Sequence, residues 1–215
     1  KPGLEYILEE CVEAGIKEVV FIISKKKMMI KKYFYNDKFY KEIIKRKKDL
    51  RVLNEYKKIL KYKKMIKFVF QDKPLGTGDA VLKTKKLIKD KFFLMLLPDD
   101  LIIKKNCSKS MISIHKRFNS SVMASMKVDK NEVSRWGIYD IKNKIDNINF
   151  IIKSVVEKPS SNSAPSNNAV IGRYILPKSI FGKLKTLKPS KGGEIHITDA
   201  IQSLINDNNK FIGHN

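Results

Sequence analysis

The chain is short of cysteine, histidine and acidic side chains, and each shortage removes a class of protein. Two cysteines in 215 residues, Cys11 and Cys107, cannot build a disulfide framework or a thiolate metal site. A reduced, cytoplasmic setting is the expectation. No apolar run approaches the roughly 18–20 residues of a membrane span. The opening residues KPGLEYILEE lack the basic region, apolar core and cleavage site of a signal peptide. His115, His196 and His214 show no metal-ligand spacing, and His115 reads as a surface position on a helix. Local sequence suggests no Ser-His-Asp or Cys-His pair. Acids are outnumbered, with 22 Asp and Glu against 45 Lys and Arg, for a formal net charge of +23.

A hydrophobic fraction of 42% and a charged fraction of 31% describe a globular chain, long enough for one substantial domain over residues 1–215. The excess charge would favour any polyanion. The bases are nearly all lysine, however, scattered among Ile and Asn as A/T-rich coding would scatter them, and charge runs usually form solvated faces. The densest run, Lys41 to Lys64, carries Ile43, Ile44, Leu50, Leu53 and Leu60 and reads as a basic amphipathic helical segment. A lysine-rich nucleic-acid-binding module stays as a rival reading. Few arginines and no aromatic-interleaved motif speak against it.

Apolar and amphipathic runs alternate. Leu4, Ile7, Leu8, Cys11 and Val12 have helical spacing, and Ala14-Gly15 then stops the helix. The runs VVFII (19–23), IKFVFQ (66–71), FFLMLL (92–97), SVMASMKV (121–128), WGIYDI (136–141), IIKSVVEKP (151–159) and NAVIGRYIL (168–176) read as strands. Helical patterns fall at 80–88, 111–118, 180–187 and 197–205. The alternation predicts a three-layer α/β/α domain with a mostly parallel central sheet. In such a sheet ligands bind at the carboxyl ends of the strands.

Three motifs sit where strands end. QDKPLGTGD places glycines at 76 and 78 between a strand and a helix, where backbone N–H groups can approach a ligand. Val81 breaks the dinucleotide pattern G-x-G-x-x-G, and no P-loop spacing exists. LLPDD ends a buried run on Asp99 and Asp100. Such carboxylates suit Mg²⁺, though Asp99 could equally cap the next segment. In VVEKP, Glu157 and Lys158 can serve one ligand only if the strand ends or bulges there, since strand neighbours point to opposite faces. Otherwise they form a surface ion pair.

In order along the chain, KPGLEYILEECVEAGIKEVVFI, QDKPLGTGDAVL, LLPDD, SRWGIYDI, VVEKPSSNSAPSNNAVIGRYIL and GGEIHITDAI resemble the bacterial UTP–glucose-1-phosphate uridylyltransferase family. The resemblance covers essentially the whole chain and implies a Rossmann-like nucleotide-diphospho-sugar transferase fold. It implies that Gln71 and Gly76 hold the uracil, by side chain and backbone respectively. Asp99 would bind Mg²⁺, with Asp100 supporting it. Gly137 would let the backbone approach glucose hydroxyls, Glu157 would bind those hydroxyls, and Val170 would line the sugar pocket. Lys158 would meet the phosphate of glucose 1-phosphate. The implied substrates are UTP and glucose 1-phosphate, and the family is usually oligomeric, so a homo-oligomer is compatible. Thymidylyl- and cytidylyltransferases share the fold and several motifs. The chain departs from the family at Asp79, commonly histidine, and at Gly3, commonly bulkier. The family's G-x-G-T-R loop and C-terminal D-x-G are not in the sequence, so the expectation is a chain truncated at both ends and uncertain in activity as it stands.

Overall fold

The computed structural model describes residues 2–47, 50–190 and 192–215. Helix α1 (Gly3–Glu13) turns Ile7, Leu8 and Cys11 inward and ends before Gly15, whose φ of +81° stops it. Strand β1 (Val19–Ile23) pairs in parallel with β2 (Ile66–Phe70), from Val19↔Ile66 to Ile23↔Phe70. Between them run α2 (Met28–Tyr35), α3 (Asp37–Lys47) and α4 (Leu50–Met65). Phe34, Ile59, Tyr62 and Met65 pack with Leu8, Phe21 and Ile23 into one apolar cluster. The basic run is therefore two helices; Lys41, Lys45, Lys57, Lys58, Lys61 and Lys64 are exposed around a thin apolar stripe, and Lys63 pairs with Asp37 at 2.9 Å. Positions 48 and 49 lie outside the described residues.

The larger sheet holds β3 (Phe92–Leu96), β4 (Ser121–Lys127), β5 (Gly137–Lys144), β6 (Asn149–Glu157), β7 (Asn168–Pro177) and β8 (Phe211–His214), in the order β3-β7-β4-β8-β6-β5. The pairing Ile138↔Ala169 joins β5 back to β7 and closes β7, β4, β8, β6 and β5 into a ring. Only β4–β8 is parallel; every other pairing in this sheet is antiparallel. The expectation of a mostly parallel sheet is corrected: the sheet is mixed. A continuous apolar run reports burial on both faces, which says nothing of strand direction, and the short turn between β5 and β6 forces an antiparallel hairpin.

The three layers do form. Along β4, Met123 packs with Val81, Leu184, Ile201 and Leu204 of helices α5 (Thr77–Lys83), α7 (Ile180–Thr186) and α8 (Ile197–Asn206). Its neighbours Val122 and Ala124 pack instead with Met111 and Ile114 of α6 (Cys107–Phe118). Alternation along one strand thus sorts the helices onto two faces. Strand β8, unremarked in the sequence, is buried along its whole length between β4 and β6. An apolar cleft of about 880 Å³ separates β1 from β3, and Gln71, Thr77 and Pro98 are among its lining residues. Each of these two strands has one edge without a partner strand among the described residues. No helix among them is long and apolar enough to cross a membrane.

Candidate active site

Strand β2 ends at Phe70, and the Gln71 N–H continues its ladder by donating to the Ile23 carbonyl at 3.0 Å. The chain then turns to enter α5 through Gly76 at φ +92°. A Cβ there would meet the Ile195 carbonyl oxygen at 2.5 Å, so glycine is required by conformation and by space. Ile195 is stitched to the same turn. Its N–H donates to the Leu75 carbonyl at 2.8 Å, and its carbonyl accepts from Gly78 at 2.7 Å. The Ile197 N–H adds a bond to Thr77 Oγ1 at 3.1 Å. This explains why GTGD and GEIHIT occur in one chain: each completes the backbone of the other. On the side-chain side, Gln71 Nε2 donates to the Gly76 carbonyl at 3.1 Å and to Asp79 Oδ2 at 2.9 Å.

At the end of β3 the two aspartates separate in role. Asp100 is committed: its Oδ2 accepts the Gly172 N–H at 2.6 Å. The Asp99 carboxylate is exposed and has no hydrogen bond or ion pair among the described residues. Helix capping by Asp99, the alternative open in the sequence, does not occur; Asn106 caps α6.

Beneath this turn lies Arg173, a residue to which sequence reasoning gave no role. It is fully buried on β7. Its Nε and Nη2 reach the Glu10 carboxylate at 2.9–3.2 Å, while Nη1 donates to the carbonyls of Leu97 and Gly172 and Nη2 to that of Asp100. The guanidinium fork thus grips the backbone on both sides of Asp99. Glu10 also accepts from Ser108 Oγ at 2.5 Å, tying α1 to α6. Burial, reinforced by Glu10 and opposed by Arg173, pushes the Cys11 thiol up to about 12 and the Cys107 thiol to about 11. Both cysteines are free.

A third group gathers where β5, β6 and β7 meet. Gly137 pairs with Glu157 across β5 and β6. A Cβ on Gly137 would lie 3.2 Å from Glu157 Oε2 and 3.5 Å from Val170 Cγ2, so glycine keeps a recess open between them. Strand β6 ends at Glu157, and Lys158 takes φ +44° while donating its N–H to the Trp136 carbonyl at 3.0 Å. The strand end that would let Glu157 and Lys158 serve one ligand is present. Their mutual contact is loose, 4.0 Å between Nζ and Oε1 with both side chains mostly exposed, so neither is tied up by it. The buried Tyr174 lies between the second and third groups. Its phenol is held well above its ordinary value, first by burial and then by the charges of Asp100, Glu157 and Asp99.

The structure therefore brings Gln71 to Gly76, and Gly137 to Glu157 and Val170 beside Lys158; Asp99 stands at the end of β3, its charge felt at Tyr174 together with that of Glu157. His115, read as a surface position, is half-buried, with Nδ1 2.8 Å from the Ser120 carbonyl and its ring against Phe92. A profile described as nucleotidyl transferase matches residues 1–214. The UTP–glucose-1-phosphate uridylyltransferase 2 of Staphylococcus saprophyticus is 34% identical over 205 residues, which is 95% of this chain and 70% of that protein. The chain belongs to this family. Its fold matches a UTP-bound UGPase of Acinetobacter baumannii with a TM-score of 0.88 at 30% identity, covering 100% of this chain and 74% of that one. A UDP-glucose pyrophosphorylase complexed with UDP-glucose matches with a TM-score of 0.84 at 32% identity, covering 100% and 78%. The α/β fold is thus the nucleotidyltransferase fold, with its mixed sheet.

Proposed function

We propose that the protein transfers a uridylyl group from UTP to glucose 1-phosphate, releasing pyrophosphate. The observation that carries this reading is the division of labour between the two aspartates. Asp100 is consumed by the Gly172 amide, whereas Asp99 is held open at a strand end by a buried arginine that grips the backbone around it.

A phosphate oxygen of glucose 1-phosphate attacks the α-phosphorus of UTP in line. The bond from that phosphorus to the bridging oxygen breaks, and its electrons leave with pyrophosphate. No covalent enzyme intermediate is needed, so the protein's task is to position two anions and offset their repulsion. Gln71 and the Gly76 N–H hold the uracil. Glu157 accepts hydrogen bonds from glucose hydroxyls, the Gly137 backbone approaches them, and Val170 lines the recess. Lys158, released from any tight ion pair, meets the sugar phosphate as a mobile point charge.

Asp99 is the residue that would hold Mg²⁺. Among the described residues no cluster of three His, Cys, Asp or Glu side chains could bind a metal. One open carboxylate fits Mg²⁺ all the same, because that ion commonly takes one or two carboxylates and completes its shell with substrate phosphates and water. When bound, it would neutralise charge on the phosphate oxygens. The test is pyrophosphate release by the full-length protein with Mg²⁺, glucose 1-phosphate and each nucleoside triphosphate in turn. Preferred turnover of UTP is expected; no turnover with UTP overturns the reading.

A further inference from the structure

The amide of Gln71 is not free to choose its orientation. Both groups on one side of it, the Gly76 carbonyl at 3.1 Å and Asp79 Oδ2 at 2.9 Å, are pure acceptors. Only the NH₂ end can face them. The reverse orientation would set the amide oxygen against a carboxylate and a carbonyl at those distances. Asp79 itself is 7% exposed, and its other oxygen faces Lys83 Nζ at 3.4 Å, so its position is fixed from both sides. With both Nε2 hydrogens engaged, Gln71 presents Oε1 alone to a ligand, and no donor reaches that oxygen among the described residues. The Gly76 N–H likewise has no partner among them. The turn thus offers one free acceptor, Gln71 Oε1, and one free donor, the Gly76 N–H.

We infer that Asp79 is a specificity-determining residue, which locks Gln71 as a hydrogen-bond acceptor and thereby selects a base with an N3–H beside a carbonyl. The inference rests on the reading of Gln71 as a contact to the nucleotide base. Uracil presents N3–H and O4, which complement Gln71 Oε1 and the Gly76 N–H. Cytosine presents a bare N3 and an N4 amino group, so acceptor would face acceptor and donor would face donor. Thymine carries the same edge as uracil, so this device rejects cytidine nucleotides and leaves the 5-methyl group to other contacts. Asp79 acts through Gln71 and touches no substrate.

The experiment measures Kd for UTP and CTP by calorimetry on the full-length protein, so that it does not depend on turnover, and then kcat/KM for both. A two-point mismatch of this kind discriminates by about 10- to 100-fold. Asp79→Ala removes the charged one of the two acceptors, leaving only the Gly76 carbonyl to hold the amide, and should lower the UTP-to-CTP ratio about tenfold, mainly by weakening UTP. Asp79→Asn keeps an acceptor oxygen for Nε2 and should retain most of the preference; the UTP-to-CTP ratio, as against the melting temperature, is the readout that a merely structural role would not move. An unchanged ratio in a folded Asp79→Ala, or equal relaxation in the Ala and Asn variants, overturns the proposal. Gln71→Ala separates the two levels. If it keeps the UTP preference, the base-contact reading fails and takes the proposal with it. If it loses the preference while Asp79→Ala keeps it, the proposal alone fails. Should Asp79→Ala not fold, 3-methyl-UTP decides with the parent protein. Lacking N3–H, it should bind at least as weakly as CTP, and affinity equal to that of UTP overturns the lock.

Discussion

Replacing Glu10 by alanine should cost the protein more than any other single change at the site, and the reason is the burial of Arg173. The guanidinium is fully buried, and Glu10 supplies both oxygens that meet its Nε and one of those that meet its Nη2. In Glu10→Ala the charge remains in the interior with only the carbonyls of Leu97, Gly172 and Asp100 around it. Removing one partner of a buried ion pair costs about 3–5 kcal/mol. At about 2–4 °C per kcal/mol for a chain of this size, the melting temperature should fall by about 6–20 °C. Thermal unfolding followed by circular dichroism measures it, and a fall under about 2 °C would refute the account. A second variant separates stability from positioning. Glu10→Leu combined with Arg173→Met removes both charges and should recover much of the loss, since well-packed apolar residues often replace a buried pair without cost. It should not restore the grip on Asp99. Half-saturation of activity by Mg²⁺, measured well below the melting temperature, should stay shifted upward by about 10- to 100-fold. Parent-like Mg²⁺ dependence in that double variant would show that Arg173 only stabilises.

Asp99→Asn should abolish Mg²⁺-dependent pyrophosphate release yet leave the melting temperature within about 2 °C, because its carboxylate has no hydrogen bond or ion pair among the described residues; full activity would remove Asp99 from the metal role. Gly76→Ala should cost at least about 1–3 kcal/mol and weaken UTP binding in the same calorimetric assay, since alanine would be strained at φ +92° and its Cβ would strike Ile195. His214 gives a pH prediction. Its ring nitrogens meet Asn149 Oδ1 at 2.8 Å and Ser110 Oγ at 2.6 Å, and burial lowers its pKa below 6.5 despite the opposing charge of Asp146. The unfolded chain then binds the proton more readily than the folded one, so stability falls as pH drops below 6.5 and levels off below the folded value. Melting temperatures from pH 7.5 down to 5 should decline more in the parent than in His214→Gln; parallel curves would dismiss the linkage.

What the sequence disclosed divides along a physical line. Strand identity was legible, because a β-branched run such as Val19–Ile23 or an apolar stretch such as Phe92–Leu96 can be little else than a strand, although the run before Asp99, expected to be buried, is half-buried along its whole length. Direction was not. NAVIGRYIL reads as a strand of a sheet expected to be mostly parallel, yet β7 runs antiparallel to β3, β4 and β5, since hydrogen-bond pattern leaves no trace in side-chain polarity. Short elements escaped for want of period: β8 is four residues, one of them glycine, at the end of a polar stretch. Candidate site residues at punctuation marks (Gly76, Asp99, Gly137, Glu157) could be proposed from the sequence because turns expose their chemistry. Arg173 and Glu10 could not, although each left a faint signal. One is a lone charge in an apolar strand, and the other sits at helical spacing from Ile7 on the buried side of α1.

The scarcity of acid makes the placement of the few carboxylates informative. In a chain with a net charge of +23 an aspartate anywhere on the surface would relieve self-repulsion, yet Glu10, Asp79, Asp99 and Asp100 gather near the candidate site and are kept apart in function. Glu10 is spent on Arg173, Asp100 on the Gly172 amide, and Asp79 on Gln71. Each satisfies a donor that would otherwise wander, and each thereby fixes something else: a backbone turn, a strand junction, the face of an amide. Asp99 satisfies nothing. In a strongly basic protein that attracts phosphates, an open carboxylate beyond the end of β3 would repel them unless a cation came between. On the proposed function the cation would arrive with the nucleotide, the basic surface would collect the anions, and Asp99 would set where the metal they carry comes to rest.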